Sequence, residues 1–355
     1  MCDDIGVKIT GLTTALLIFT AAVTAGAQGR GGAPRGGGGG AGNGPRASTI
    51  ERVTVHGKAL EGNLEGDSPD RQVAVYLPPS YAADPARQFP VVYFLHDYGT
   101  HSNPIDQIKE FADRYAAMQG FSEPVVVVPD AYTLHKGSMY SSSVTTGDWE
   151  SFVAEDLVGY IDTHYRTLAK PISRGLAGYS MGGYGALRIA MTHPGVFSSL
   201  YIMSACCLSA MNPTPDAMLP ASPSDKEMTM AAAAAWSPDP NNPPLFLDLP
   251  ASDGKTRPDI AGKWAANSIL TMLEQYASTL KKYYSIAIET GTKDPFIASN
   301  KQLHEAMVRL GIPHAFEAYD GDHTNMLNDR IERNLIPFFS KNLAAPANPT
   351  SPGVH

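Results

Sequence analysis

Four consecutive valines, Val125 to Val128, limit the fold of this chain more than any other feature. Successive side chains of a strand point to opposite faces, so a strand that is apolar at every position must be covered on both. The middle of a mainly parallel sheet, with helices on each side, meets that demand. Other β-branched or aromatic runs recur: Val73-Ala74-Val75-Tyr76-Leu77, Val91-Val92-Tyr93-Phe94-Leu95, Leu200-Tyr201-Ile202-Met203, Ser285-Ile286-Ala287-Ile288 and Ala315-Phe316-Glu317-Ala318-Tyr319. Between them apolar residues fall at helical spacing. Phe152, Leu157, Tyr160 and Ile161 form one such stripe, and Leu303, Ala306, Met307 and Leu310 another. The alternation predicts a three-layer α/β sandwich with a mostly parallel central sheet over residues 49–343.

One stretch breaks the alternation. Residues 209–263 are crowded with Pro and Asn, apart from an Ala231-to-Ala235 run. A loop of that length inside a compact domain is usually functional. It reads as a cap-like insertion, resistant to regular structure, over the carboxyl edge of the sheet. Trp236, Leu245, Phe246, Leu247 and Trp264 would supply apolar area to cover a pocket.

The ends have a different composition. Leu16-Leu17-Ile18-Phe19 leads to Ala25-Gly26-Ala27, a small-x-small pattern, so residues 1–27 read as a signal peptide cleaved after Ala27. The leading region is unusual for such a signal, because Asp3 and Asp4 outweigh Lys8. The apolar run is short for a spanning helix and broken by Thr and Gly, which leaves an uncleaved anchor as the alternative to cleavage. A secreted or periplasmic location follows, with no membrane association beyond export. Residues 28–48, Gly-rich, read as a flexible linker, and the Pro/Ala/Ser-rich residues 344–355 as a disordered tail. The net charge of −8, without a Lys/Arg cluster, argues against nucleic acid or an anionic membrane as partner. After cleavage the remaining cysteines are Cys206 and Cys207. Neighbours form only a strained disulfide, so both are expected as small buried apolar residues at a strand end.

Gly178-Tyr179-Ser180-Met181-Gly182 matches G-x-S-x-G. The bare pattern is weak, but here it lies between a strand end, Gly175-Leu176-Ala177, and a helix start, Gly183-Tyr184-Gly185-Ala186-Leu187. A sharp strand-to-helix turn exposes the serine hydroxyl at the top of the sheet and sets the Met181 N–H at a helix N-terminus, where it can stabilise an oxyanion. A serine hydroxyl needs a base, and the base a carboxylate to hold it. With a nucleophile elbow the chain order is Ser, acid, His. Of the histidines after Ser180, His193 ends the nucleophile's own helix, His304 lies inside a helix, His314 begins a strand and His355 is terminal. His323 follows the last strand, in Asp320-Gly321-Asp322-His323, at the edge where Ser180 lies. Asp294, in Gly291-Thr292-Lys293-Asp294-Pro295 after the strand from Ser285, is the expected acid, with Asp320 and Asp322 as rivals. A second N–H for the oxyanion should come from Leu95-His96-Asp97-Tyr98-Gly99, with Tyr98 the candidate. No H-x-x-x-H or C-x-x-C spacing offers a metal site, and no cofactor is expected.

At these residues the chain resembles the putative-esterase family of α/β-hydrolases. That family includes esterase D (S-formylglutathione hydrolase), feruloyl and acetylxylan esterases, enterochelin esterases and the antigen 85 mycolyltransferases. The likeness covers residues 50–340. It rests on residues 178–186, on Val75-Tyr76-Leu77-Pro78-Pro79-Ser80-Tyr81 and Gly147-Asp148-Trp149-Glu150, and on the Asp294 and His323 loops. It implies an esterase acting on a small-molecule or carbohydrate ester through an acyl-enzyme, with acyl transfer to a sugar as an alternative and a non-catalytic binding module as a further one. Relatives usually carry Leu-His-Gly-x-Gly in the first loop, whereas this chain has Asp97 in place of the first glycine. The resemblance also places Tyr140, Trp149 and Tyr179 by the substrate pocket.

Overall fold

The computed structural model describes residues 47–102, 104–116, 118, 121–209, 223–252 and 255–344. The expected signal peptide, nearly all of the linker and nearly all of the tail lie outside these residues. The main elements are β1 (Thr49–His56), β2 (Asp70–Leu77), β3 (Val91–Leu95), α1 (Pro104–Ala116), β4 (Val125–Pro129), α2 (Val158–His164), β5 (Arg174–Tyr179) and α3 (Met181–Thr192). They continue with β6 (Ser199–Met203), α4 (Pro223–Trp236), α5 (Pro258–Ala266), α6 (Ile269–Leu280), β7 (Ser285–Gly291), α7 (Ile297–Arg309), β8 (Ala315–Tyr319) and α8 (Ile336–Asn342).

The eight strands form one sheet in the order β1-β2-β4-β3-β5-β6-β7-β8. The pairs β1–β2 and β2–β4 are antiparallel, and every pair from β4 to β8 is parallel. The four valines divide as the pleat requires. Val125 and Val127 face a core shared with Tyr93, Leu95 and Leu176 under α3, α6 and α7. Val126 and Val128 face a second core with Tyr76, Phe94 and Ala177 under α1 and α8. Each valine withdrawn from water in this way contributes about 1.5–3 kcal/mol. Since β3, β5, β6, β7 and β8 run in the same direction, their carboxyl ends meet at one edge, and loops from these ends build the site.

The insertion differs from its expectation. Within it lie two helices, α4 and most of α5, so its proline and asparagine content does not keep it irregular. Both helices begin at a proline, where the missing N–H has no helical partner to lose. Five consecutive alanines, the best helix formers, then carry α4. Ala231 to Ala235 are buried, and Trp236 packs on Tyr184 of α3 and edge-on to Trp264, each at 5.4 Å. The indole of Trp236 donates to Ser141 Oγ and that of Trp264 to Ser237 Oγ. Both tryptophans belong to the core.

Candidate active site

β5 ends at Tyr179 and α3 begins at Met181, which leaves Ser180 as the whole turn. Its backbone has φ 54° and ψ −115°, a strained conformation for a residue with a Cβ. Three backbone hydrogen bonds hold it there. Ser180 N–H donates to Met203 O, while Cys206 N–H and Tyr184 N–H donate to Ser180 O. The turn also needs glycine at 182, where a Cβ would lie 1.9 Å from Leu95 O. The nucleophile turn is thereby pressed against the end of β3.

The acid and the histidine come from loops that zip together. Thr292 N–H donates to Tyr319 O, and Lys293 N–H to Gly321 O. A Cβ on Gly291 would sit 2.3 Å from Gly321 O, so only glycine allows this approach. The result is a continuous line: Asp294 Oδ2 to His323 Nδ1 is 2.8 Å, and His323 Nε2 to Ser180 Oγ is 3.1 Å. Asp294 is buried, and its second oxygen accepts the Phe296 N–H at 2.7 Å. Burial pushes this carboxyl's pKa up, but the bonds from His323 and Phe296 outweigh it and hold the group below its ordinary value. The rivals are occupied elsewhere. Asp320 pairs with Lys293 at the surface, and Asp322 Oδ1 accepts the N–H groups of Thr324 and Asn325.

The loop after β3 is held by a buried histidine. His96 Nε2 accepts the Ala131 N–H, which leaves Nδ1–H to donate to Asp97 O. Burial lowers the pKa of this imidazole, so the neutral form with that tautomer is the one that fits. Asp97 takes no positive φ; Gly99 does, at 75°. The Asp97 carboxylate accepts the Thr100 hydroxyl at 2.6 Å, so its place in the loop costs no unusual backbone. Tyr98 and Met181 meet over Gly137, where a Cβ would lie 2.8 Å from the Tyr98 ring and 2.7 Å from the Met181 sulfur. As the first residue of α3, Met181 has an N–H that no helical carbonyl can take up.

The family model described as Putative esterase matches residues 68–326. The chain belongs to that family. Two Mycobacterium tuberculosis relatives, Esterase MT1326 of strain CDC 1551 / Oshkosh and Esterase Rv1288 of strain ATCC 25618 / H37Rv, are each 34% identical over 131 residues, or 36% of this chain. The chain spans 27% of the length of those relatives. Among solved structures, a ferulic acid esterase superposes with a TM-score of 0.63 at 21% identity, over 84% of this chain and 100% of that one. An S-formylglutathione hydrolase from Agrobacterium tumefaciens superposes with a TM-score of 0.59 at 17% identity, over 85% and 98%. The fold is that of the α/β-hydrolases.

In this member of the Putative esterase family the three aromatic residues expected at the pocket are all buried. Tyr140 lies behind the first loop, its hydroxyl on His96 O and its ring against Gly185. Trp149 donates to Thr146 O and packs edge-on to Phe152, with the Arg71 guanidinium over its ring. Neither presents surface to a ligand, because both fill the space between loops and α3. Tyr179 has another place: its ring stacks on His323 at 5.0 Å and its hydroxyl donates to His323 O at 2.6 Å. Phe296 also meets the imidazole, edge-on at 5.3 Å. No signal in the sequence marks Phe296, which comes to the site through its position two residues after Asp294. Among the described residues no group of three or more His, Cys, Asp or Glu is placed to hold a metal, and no helix is long and apolar enough to cross a membrane.

Proposed function

We propose that the chain is an exported serine esterase that cleaves carboxylic esters through an acyl-enzyme on Ser180. The observation that carries this reading is the unbroken hydrogen-bonded line from Asp294 through His323 to Ser180 Oγ. As Ser180 Oγ attacks the ester carbonyl, His323 Nε2 takes its proton and Asp294 stabilises the resulting imidazolium. The N–H groups of Met181 and Tyr98 are the donors for the oxyanion. Collapse expels the alcohol with the proton held on His323. A water then gives a proton to His323 and attacks the acyl carbon, and collapse releases the acid as His323 returns the proton to Ser180 Oγ.

Ferulic acid esterase and S-formylglutathione hydrolase structures share the fold, which supports esters of small or aromatic acids as substrates. Export of a mature chain beginning at residue 28 favours carbohydrate esters over a cytosolic thioester. An active-site fluorophosphonate should label Ser180 alone, and Ser180→Ala should abolish labelling and lower turnover on the order of 10³-fold or more. Labelling that survives this substitution would refute the assignment. For export, N-terminal sequencing of the secreted product should begin at Gln28; a product retaining residues 1–27 would refute cleavage.

A further inference from the structure

β6 runs into a loop, Ser204 to Leu208, that cups the nucleophile turn from behind. Cys206 N–H donates to Ser180 O at 3.3 Å, and Asn300 of α7 fixes Ala205 O at 2.8 Å. Ser204 and Cys207 both have positive φ, at 44° and 60°, so this loop is held in a conformation its residues do not favour. Within it Cys206 and Cys207 are free thiols, both buried, with their sulfurs only 2.7 Å apart.

We propose that Cys206 and Cys207 form a vicinal dithiol–disulfide couple seated against the nucleophile, closed by exchange with a small disulfide such as oxidised glutathione and reopened by thiols. Cys207 is the more exposed of the two and attacks first, as a thiolate, on one sulfur of the small disulfide R–S–S–R. Its proton goes to solvent, one R–S⁻ leaves and a mixed disulfide forms. Cys206 then loses its proton and attacks the Cys207 sulfur, and the second R–S⁻ leaves. Protonation of both gives two R–SH, so two thiols are oxidised to one S–S bond while R–S–S–R is reduced. A hydrogen bond with Cys207, and then burial, keep the Cys206 thiol protonated in the resting state, which suits it to the second step.

Adjacent Cα atoms lie about 3.8 Å apart, less than the roughly 4.4–6.8 Å that most disulfides span, so the closed ring is strained and readily reduced. Closing it draws the Cys206 sulfur into bonding distance of Cys207. It also twists the Cys206 amide that supports the Ser180 carbonyl. The oxidised form therefore acylates several-fold more slowly than the reduced form. This kinetic part rests on Ser180 being the nucleophile, whereas the thiol chemistry does not.

The test equilibrates the full-length protein with oxidised or reduced glutathione, quenches with acid, alkylates under denaturing conditions and maps the peptide containing both cysteines by mass spectrometry. The expected peptide after oxidised glutathione is unalkylated and lighter by a pair of hydrogens; after reduced glutathione it carries two alkyl groups. Fluorophosphonate labelling should be several-fold slower in the oxidised state and recover with reductant. Cys207→Ser, or Cys206→Ser should the first not fold, should show neither change. Two alkylated thiols after oxidised glutathione, a stable glutathione adduct, or a bond to Cys2 would overturn the couple. Equal labelling rates with the ring shown closed would overturn its link to Ser180. Absent labelling in both states, with ring closure still seen, would count against the esterase reading and not against the couple.

Discussion

Ser180 carries a backbone conformation that costs on the order of 1–3 kcal/mol, offset by the hydrogen bonds that fix its N–H and carbonyl. The strain aims Oγ at His323, and the quality of that aim depends on what holds the imidazole. Asp294 holds one nitrogen, so Asp294→Asn should lower kcat by roughly 10³–10⁴-fold through loss of the charge and of the tautomer it selects. Asp320→Asn and Asp322→Asn, one paired with Lys293 and the other bonded within its own turn, should cost less than about tenfold. Steady-state rates of the three purified variants decide this, and Asp320→Asn as the worst would place the acid elsewhere. Tyr179→Phe keeps the ring on His323 but removes the hydroxyl from His323 O. Its expected effect is a several-fold fall in kcat at constant KM, in line with about 1 kcal/mol for one hydrogen bond. A loss as large as that of Asp294→Asn would contradict a positioning role.

At the scale of elements, the site depends on how closely loops from different strands approach. The β5–α3 turn presses on the end of β3 at Gly182, and the β7 and β8 loops meet at Gly291. Within the described part of the insertion the aromatic residues at its helix ends pack inwards. Trp236 ends α4 as part of the core, against Tyr184 and Trp264. Trp236→Ala should therefore cost about 3–5 kcal/mol of stability, read as a lower urea midpoint, while the ranking of acetyl against feruloyl esters stays the same. A changed ranking without loss of stability would restore the pocket-covering reading.

At the scale of the whole molecule, one buried acid outside the triad sets a dependence on pH. Glu65 is nearly inaccessible, both its oxygens lack a hydrogen-bond partner, and His135 Nε2 stands 3.7 Å away. Burial, and then the charge of Asp67, push its pKa from an ordinary 4.5 to about 8, against a smaller pull from Arg71. The folded state thus binds a proton that the unfolded chain has released, so this contribution is complete below about 4.5 and is lost as pH rises towards about 8. The slope reaches at most about 1.4 kcal/mol per pH unit. His135, whose pKa burial lowers, acts in the opposite sense: its contribution is lost as pH falls. Urea unfolding of the wild type and Glu65→Gln at acid and mildly alkaline pH separates the two. The stability difference, wild type minus variant, should shrink as pH rises; a constant difference would show that Glu65 is ionised throughout.

Periodicity alone determined the sheet and the helices that cover it, because a strand such as Val125–Pro129, apolar on both faces, has no stable place except between two layers. The glycine-flanked Ser180 and the strand-end positions of Asp294 and His323 likewise made the meeting of these three side chains legible, since each depends on local backbone geometry and chain order. The helices of the insertion were not legible from its proline content, because proline at a helix start costs nothing and the alanine run carries α4. Tyr140 and Trp149 are a different case: an aromatic side chain reads the same in a pocket wall and in a core, and the burial of both was not legible. Only tertiary packing decided that burial, and only packing brought Cys206 to Ser180 and His135 to Glu65. Those pairings join segments far apart in the chain, through van der Waals fit and burial that no local pattern of residue types encodes.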